Sequence, residues 1–160
     1  MVGVRMVCVG KLKENYFRQA AAEYEKMLGG FCVIETAEVA QAPLGENPSP
    51  REIETALGRE AEVIIKKIPK SSVCAALCPE GETLSSEQFS AWLQKNIAQG
   101  RGHFTFVIGG SNGLADSVKL NAGLRLSMGP MTFPHRLARV MLLEQLYRAF
   151  SIAAGGKYHK

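Results

Sequence analysis

Two unbroken apolar runs, V-C-A-A-L-C at Val73 to Cys78 and F-T-F-V-I at Phe104 to Ile108, constrain this chain more than any other feature. A strand that faces water on one side alternates apolar and polar residues. These do not, so both faces of each strand are covered. Val4 to Val9 is a comparable run with Arg5 as its only charge, and Phe31 to Val39 and Gly123 to Met128 also read as strands. Between the strands lie stretches with helical spacing. One runs from about Glu14 to Leu28 and is closed by Gly29-Gly30; a second opens at Pro50-Arg51 and reaches about Ile68, with Ile53, Leu57, Ala61, Ile64 and Ile65 on one side. Ser85 and Gln88 form a capping box that launches a third, carrying Phe89, Trp92, Leu93 and Ile97. Pro79-Glu80-Gly81 ends the strand before it, and Gln41 to Pro50, with Pro43, Gly45, Pro48 and Pro50, is a loop. Buried strands alternating with helices give an α/β fold: one domain, residues 1–160, with a mainly parallel sheet flanked by helices.

The stretch from Met131 onward predicts a helix with a defined start. Thr132 can cap it, and Pro134 suits the first turn, where a missing N–H costs nothing. Leu137, Val140, Leu143, Tyr147, Phe150 and Ala154 make its apolar face, Glu144 and Arg148 pair one turn apart, and Gly155-Gly156 ends it. The tail beyond, Lys157-Tyr158-His159-Lys160, is too polar for a core; it is either a frayed end or a specialised one.

Charge separates this region from the rest. From Lys119 onward seven Lys or Arg stand against Glu144 alone, whereas residues 1–118 carry 12 basic and 14 acidic groups. A basic C-terminal third on a near-neutral body suits local engagement of a phosphate backbone, or is a solvated basic helix face. Cys8, Cys32, Cys74 and Cys78 lie in strands or strand ends without a C-x-x-C pair, so buried thiols in a reducing compartment are expected rather than metal ligands or disulfides. No window approaches the roughly 18 consecutive apolar residues of a membrane span, and the N-terminal apolar run is too short for a signal peptide; a cytoplasmic location is expected.

In open α/β sheets ligands bind at the C-terminal ends of the strands. Three segments leave those ends: Leu77 to Gly81, G-G-S-N-G-L at Gly109 to Leu114, and L-S-M-G-P-M at Leu126 to Met131. Adjacent glycines after a buried strand permit close backbone approach to a ligand, or merely make a turn. The spacing matches neither common phosphate-binding glycine motif.

The motifs F-V-I-G-G-S-N-G-L at Phe106 to Leu114, L-S-M-G-P-M-T-F-P-H-R-L-A-R-V-M-L-L-E-Q-L-Y-R-A-F at Leu126 to Phe150, and the terminal Y-H-K resemble the ribosomal RNA large subunit methyltransferase H family of the SPOUT superfamily. The resemblance covers essentially the whole chain, with Pro79 and the run C-A-A before Leu77 as departures. It implies an α/β domain whose C-terminal segment is threaded into a trefoil knot. It further implies a homodimer that binds S-adenosylmethionine and methylates N3 of a pseudouridine in helix 69 of 23S rRNA on the assembled ribosome. By motif match, Leu77, Gly109, and Leu126, Ser127, Met128, Gly129, Pro130 and Met131 are the cofactor contacts. Removal of the imide proton falls to His159 and Tyr158, with Lys160 beside them; His135 is a further candidate or a structural hydrogen-bonding group. Arg136, Arg139, Arg148 and Lys157 are candidates for holding RNA phosphates, the alternative for Arg148 being its pair with Glu144. The competing reading is an RNA-binding protein on the same scaffold that carries out no chemistry.

Overall fold

The computed structural model describes residues 1–160. Five strands, β1 (Val2–Val9), β2 (Cys32–Val39), β3 (Val73–Thr83), β4 (His103–Ile108) and β5 (Leu124–Ser127), form one sheet in the order β2-β1-β4-β3-β5. Every neighbouring pair is parallel. The helices are α1 (Asn15–Leu28), α2 (Pro50–Lys66), α3 (Ser86–Ala98), α4 (Asp116–Asn121) and α5 (His135–Ala153). α1, α3 and α5 cover one face of the sheet, where Met6, Phe104, Phe106, Leu142, Leu143 and Leu146 are fully buried; α2 and α4 cover the other, over Val7, Val107 and Ala76. The unbroken apolar runs are therefore strands covered on both faces. All four thiols are free and buried, and burial pushes Cys8 up to about 12 and Cys32 and Cys74 up to about 11. No helix is long and apolar enough to cross a membrane.

Three local readings are corrected. The capping box of α3 forms as expected, with Ser85 and Gln88 exchanging hydrogen bonds, but α5 begins without a side-chain cap. Pro134 is its N-cap in extended conformation, its carbonyl accepting from Ala138 N at 2.9 Å, and Thr132 lies two residues too early. The buried side of α5 is broader and rotated from the expected stripe. Leu142, Leu146 and Ala149 are buried beside Leu143 and Phe150, whereas Leu137, Val140 and Tyr147 are half-buried and Ala154 is exposed. The reason is that α5 is wedged between α1 and α3, so neighbours on two sides add to the sheet beneath. Its end is as expected: Gly155, with φ +72°, and Gly156 donate to Ile152 and Ser151, the double hydrogen bond that closes a helix at a left-handed glycine.

The third correction shapes the site. Pro79-Glu80-Gly81 does not end β3. Leu77 and Glu82 both register with Leu126, so the four residues between them bulge out and the strand resumes against Ser127. Pro79, with no N–H to give, suits such a break. Gly81 is required by close approach, since a Cβ there would come within 2.6 Å of the Arg125 backbone. Gly81→Ala is expected to cost about 1–3 kcal/mol, as overpacking against unyielding backbone does. A urea midpoint unchanged from wild type would show that the bulge relaxes freely.

Candidate functional site

The loops after β3, β4 and β5 converge on a cleft of about 360 Å³, which the start of α5 closes. Its apolar wall is Leu77, Ile108, Leu126, Met128 and Phe133, and its polar lining comes from the loop Gly109 to Gly113 together with Lys119, Thr132 and His135. Of the residues matched to cofactor contacts, Leu77, Gly109, Leu126, Met128, Gly129 and Met131 line the cleft. Ser127 and Pro130 do not. The Ser127 side chain turns back to accept from Gly129 N at 3.1 Å and lines a neighbouring hollow, while Pro130 points to solvent. The glycines also divide differently from expectation. The tight approach at Gly109 is to the protein itself, where a Cβ would meet the Gly113 carbonyl oxygen at 2.3 Å; Gly113 (φ +80°) and Gly129 (φ +114°) instead leave open space where a side chain would stand.

Sequence reasoning missed Ala138, Phe133 and Lys119 in this lining. Ala138 was detectable: it follows His135 by three positions, shares its helix face, and is small where a cleft needs room. Lys119 on α4 pairs with Glu80 of the β3 bulge at 2.5 Å, linking that helix to the bulge beside the cleft, and this hydrogen bond holds the Glu80 carboxyl below its usual range. His135 lines the cleft and packs against Gly10, and burial, followed by the neighbouring Arg136 charge, lowers its pKa from the ordinary histidine value. A depressed value means that folding favours the neutral ring. The stability this contributes is fully present above about pH 6.5, the unfolded value, and falls as pH drops through the folded value. His135→Asn should therefore flatten the fall in urea midpoint between about pH 7 and pH 5. An unaltered pH profile would remove the ring from that role.

The tail is docked rather than frayed. Tyr158 stands edge-on to Tyr147, beneath the Arg148 guanidinium, and donates its hydroxyl to Glu144 at 3.1 Å. Burial and that carboxylate push its phenol up to about 12, so it remains a donor at neutral pH. Glu144 also receives Arg148, the expected intrahelical pair, at 2.7 Å. Arg148 lies 3.1 Å from His159 Nδ1, and His159 Nε2 lies 2.7 Å from Glu87 on α3. A guanidinium only donates, so Nδ1 is the acceptor and the ring proton sits on Nε2, facing Glu87. The structure thus joins Tyr158 and His159 in one network with Glu87, Glu144 and Arg148, and none of their polar partners lines the cleft. Lys157 and Lys160 are exposed.

The arginines proposed for phosphate are engaged elsewhere. Arg136 pairs with Glu14 at 2.6 Å, and Arg139, its side chain only 10% exposed, pairs with Glu38 at 3.0 Å. Together with the pair of Arg148, three cations of the basic C-terminal third are matched by carboxylates distant in sequence or one turn away.

A cleft at the carboxyl ends of β4, β3 and β5, closed by a C-terminal helix, is a specific arrangement. A family model described as "Predicted SPOUT methyltransferase" matches residues 2–159. The chain belongs to the SPOUT methyltransferase family. Solved structures of low identity share its fold. A probable methylase family protein from Haemophilus influenzae has 16% identity and a TM-score of 0.55 over 95% of this chain and 66% of that one. A probable methyltransferase from Bordetella pertussis has 16% identity and a TM-score of 0.56, with 92% and 93% covered. A Legionella pneumophila protein, solved in complex with the bound cofactor SAM, has 12% identity and a TM-score of 0.52, with 95% and 66% covered. This SPOUT chain therefore spans 66% of the length of two of these neighbours.

Proposed function

We propose that this chain is an S-adenosylmethionine-dependent methyltransferase acting on N3 of a pseudouridine in helix 69 of 23S rRNA. In this reading it works on the assembled ribosome in the cytoplasm, as a homodimer of the ribosomal RNA large subunit methyltransferase H type with that group's knotted C-terminal segment. The observation that carries the reading is the cleft itself: the three segments bearing the family-like motifs, around Leu77, Gly109 and Leu126 to Met131, meet there. The SAM bound to the Legionella neighbour supports the cofactor. So does the fit, since about 360 Å³ suits a small-molecule site. Leu77, Leu126 and Met128 would flank an adenine, and the main chain of the glycine loops, opened at Gly113 and Gly129, would take polar groups.

When bound, S-adenosylmethionine supplies a methyl group already activated on its sulfonium. The chain's own task is to hold the acceptor nitrogen in line, by proximity and orientation, and to remove the imide proton. Tyr158 and His159 remain the proposed groups for the second task, with Lys160 steadying phosphate. Within one protomer they dock near Arg148, ten residues from Ala138 at the cleft, about 15 Å along the helix. We therefore assign the tail to the cleft of a second copy. Half-buried Leu137 and Met141 on α5, and Met131, which lines the cleft yet is 74% exposed, suit contact between two copies. The test is methyl transfer to ribosomes from a strain lacking the modification, with the modified nucleotide mapped. Methylation elsewhere, or none, overturns the assignment.

A further inference from the structure

Because Arg136, Arg139 and Arg148 are paired with carboxylates, an RNA at the cleft side of the sheet needs cations beyond these and beyond the tail's Lys157 and Lys160. The segment joining β1 to α1 supplies them. It leaves the carboxyl end of β1, next to the Gly109 loop of β4, on the same edge as the cleft. Gly10 turns it with φ +90° and donates to Val39 O at 2.8 Å, and Leu12 is buried beneath it. The Arg18 guanidinium donates to the carbonyls of Leu12 and Lys13 at 3.2 and 3.1 Å and to the Asn15 side chain. The clip is thus anchored at both ends. Lys11 and Lys13 are exposed, and neither they nor Arg18 has a carboxylate within 4.0 Å. Glu38 shares a shallow hollow with Lys11 but is held by Arg139, and Glu25 there accepts from Thr36. In the first turn of α1, Tyr16 is 65% exposed and rests against Phe17.

We infer that this clip is an RNA-docking surface, in which Lys11, Lys13 and Arg18 hold backbone phosphates and Tyr16 stacks on an unpaired base. Two unpaired lysines on a rigid loop, followed on α1 by Arg18 without a carboxylate partner and by an exposed aromatic ring, are the ingredients of single-stranded RNA binding. Their place beside the cleft would guide the strand whose base is methylated, so the inference rests on the RNA-methylating reading above and adds to it the residues that position the substrate. A protein surface would match the aromatic ring but leaves three cations without counter-charge.

The test is fluorescence anisotropy with a fluorescein-labelled single-stranded RNA of about 12 nucleotides across a salt series, using the full chain. Lys11→Ala/Lys13→Ala should reduce the slope of log affinity against log salt by about 1.4, roughly 0.7 for each lost phosphate contact. The control Lys26→Ala/Lys66→Ala removes the same charge from exposed sites in the last turns of α1 and α2, and should leave the slope near that of wild type. Tyr16→Ala should weaken binding roughly fivefold or more, with Tyr16→Phe retaining most of it. Equal slopes for the clip variant and wild type, or an equal loss in the control, overturn the proposal. So does a Tyr16→Ala chain that sediments as a smaller species with RNA affinity unchanged, which would make the surface a contact between copies. If wild type binds RNA through the lysines yet leaves ribosomes unmethylated, the assignment of the target fails and the clip stands.

Discussion

Deleting Tyr158, His159 and Lys160 is expected to lower methyl transfer to ribosomes by about 10²-fold or more, the cost of losing a positioned acid or base. Cofactor affinity and fold should be nearly unchanged, because the tail contributes exposed or half-exposed polar contacts to Glu87, Glu144 and Arg148 and none to the cleft. Single substitutions separate the roles. Tyr158→Phe keeps the ring against Tyr147 and removes the hydroxyl that Glu144 accepts; His159→Ala removes the imidazole between Arg148 and Glu87. In the docked arrangement both ring nitrogens of His159 are engaged, Nδ1 by Arg148 and Nε2 by Glu87, so neither faces a substrate until the tail leaves. A truncated chain that methylates at the wild-type rate would discard the tail. The neutral imidazole of His135, which does line the cleft, would then be the group to pursue.

How much of this was legible in the sequence depended on how far apart the interacting residues lie. The parallel sheet followed from Val73 to Cys78 and Phe104 to Ile108 because burial on both faces is written into consecutive residues. The loops that make the cleft were visible for a similar reason, since Gly and Pro mark where a chain leaves a strand. The bulge in β3 was not, because Pro79-Glu80-Gly81 reads as a stop and only the partner strand reveals that pairing resumes at Glu82. α4 escaped notice because six residues are too few to show a helical period. The pair of Arg148 with Glu144 was visible one turn away, but the partners of Arg136 and Arg139 were not. Arg139 finds Glu38 across 101 positions and Arg136 finds Glu14 across 122, and nothing local to either residue announces such a partner. The same blindness hid the lysines of the β1–α1 clip, whose significance appears only once the arginines are seen to be neutralised.

Ala138→Trp is expected to reduce S-adenosylmethionine affinity by at least about 100-fold, from the loss of a few kcal/mol of cleft contacts. Ala138 sits on the first turn of α5 and lines the cleft, so an indole there competes for the space a cofactor needs. The position is helical and only half-buried, and the backbone demands nothing that Trp cannot meet. A valine at Gly109 would be a poorer probe, because its Cβ strikes the Gly113 carbonyl and disturbs the loop whatever binds there. Calorimetric titration reads the loss and circular dichroism verifies the fold; normal affinity in a folded variant places the cofactor elsewhere. The variant also decides how the tail reaches the chemistry. A chain lacking residues 158–160 keeps its cleft, and the Ala138→Trp chain keeps its tail, so each alone should be nearly inactive. If the chain is the proposed homodimer, mixing and exchange would give dimers in which an intact tail can face an intact cleft. Recovery of a substantial fraction of activity is expected if the tail serves its partner, because only the mixed dimer then contains a complete site. No recovery in a mixture shown by sedimentation to contain mixed dimers would mean that tail and cleft must belong to one chain. The docked network around Arg148 would then have to open, and the tail would have to travel the length of α5 to reach its own methyl donor.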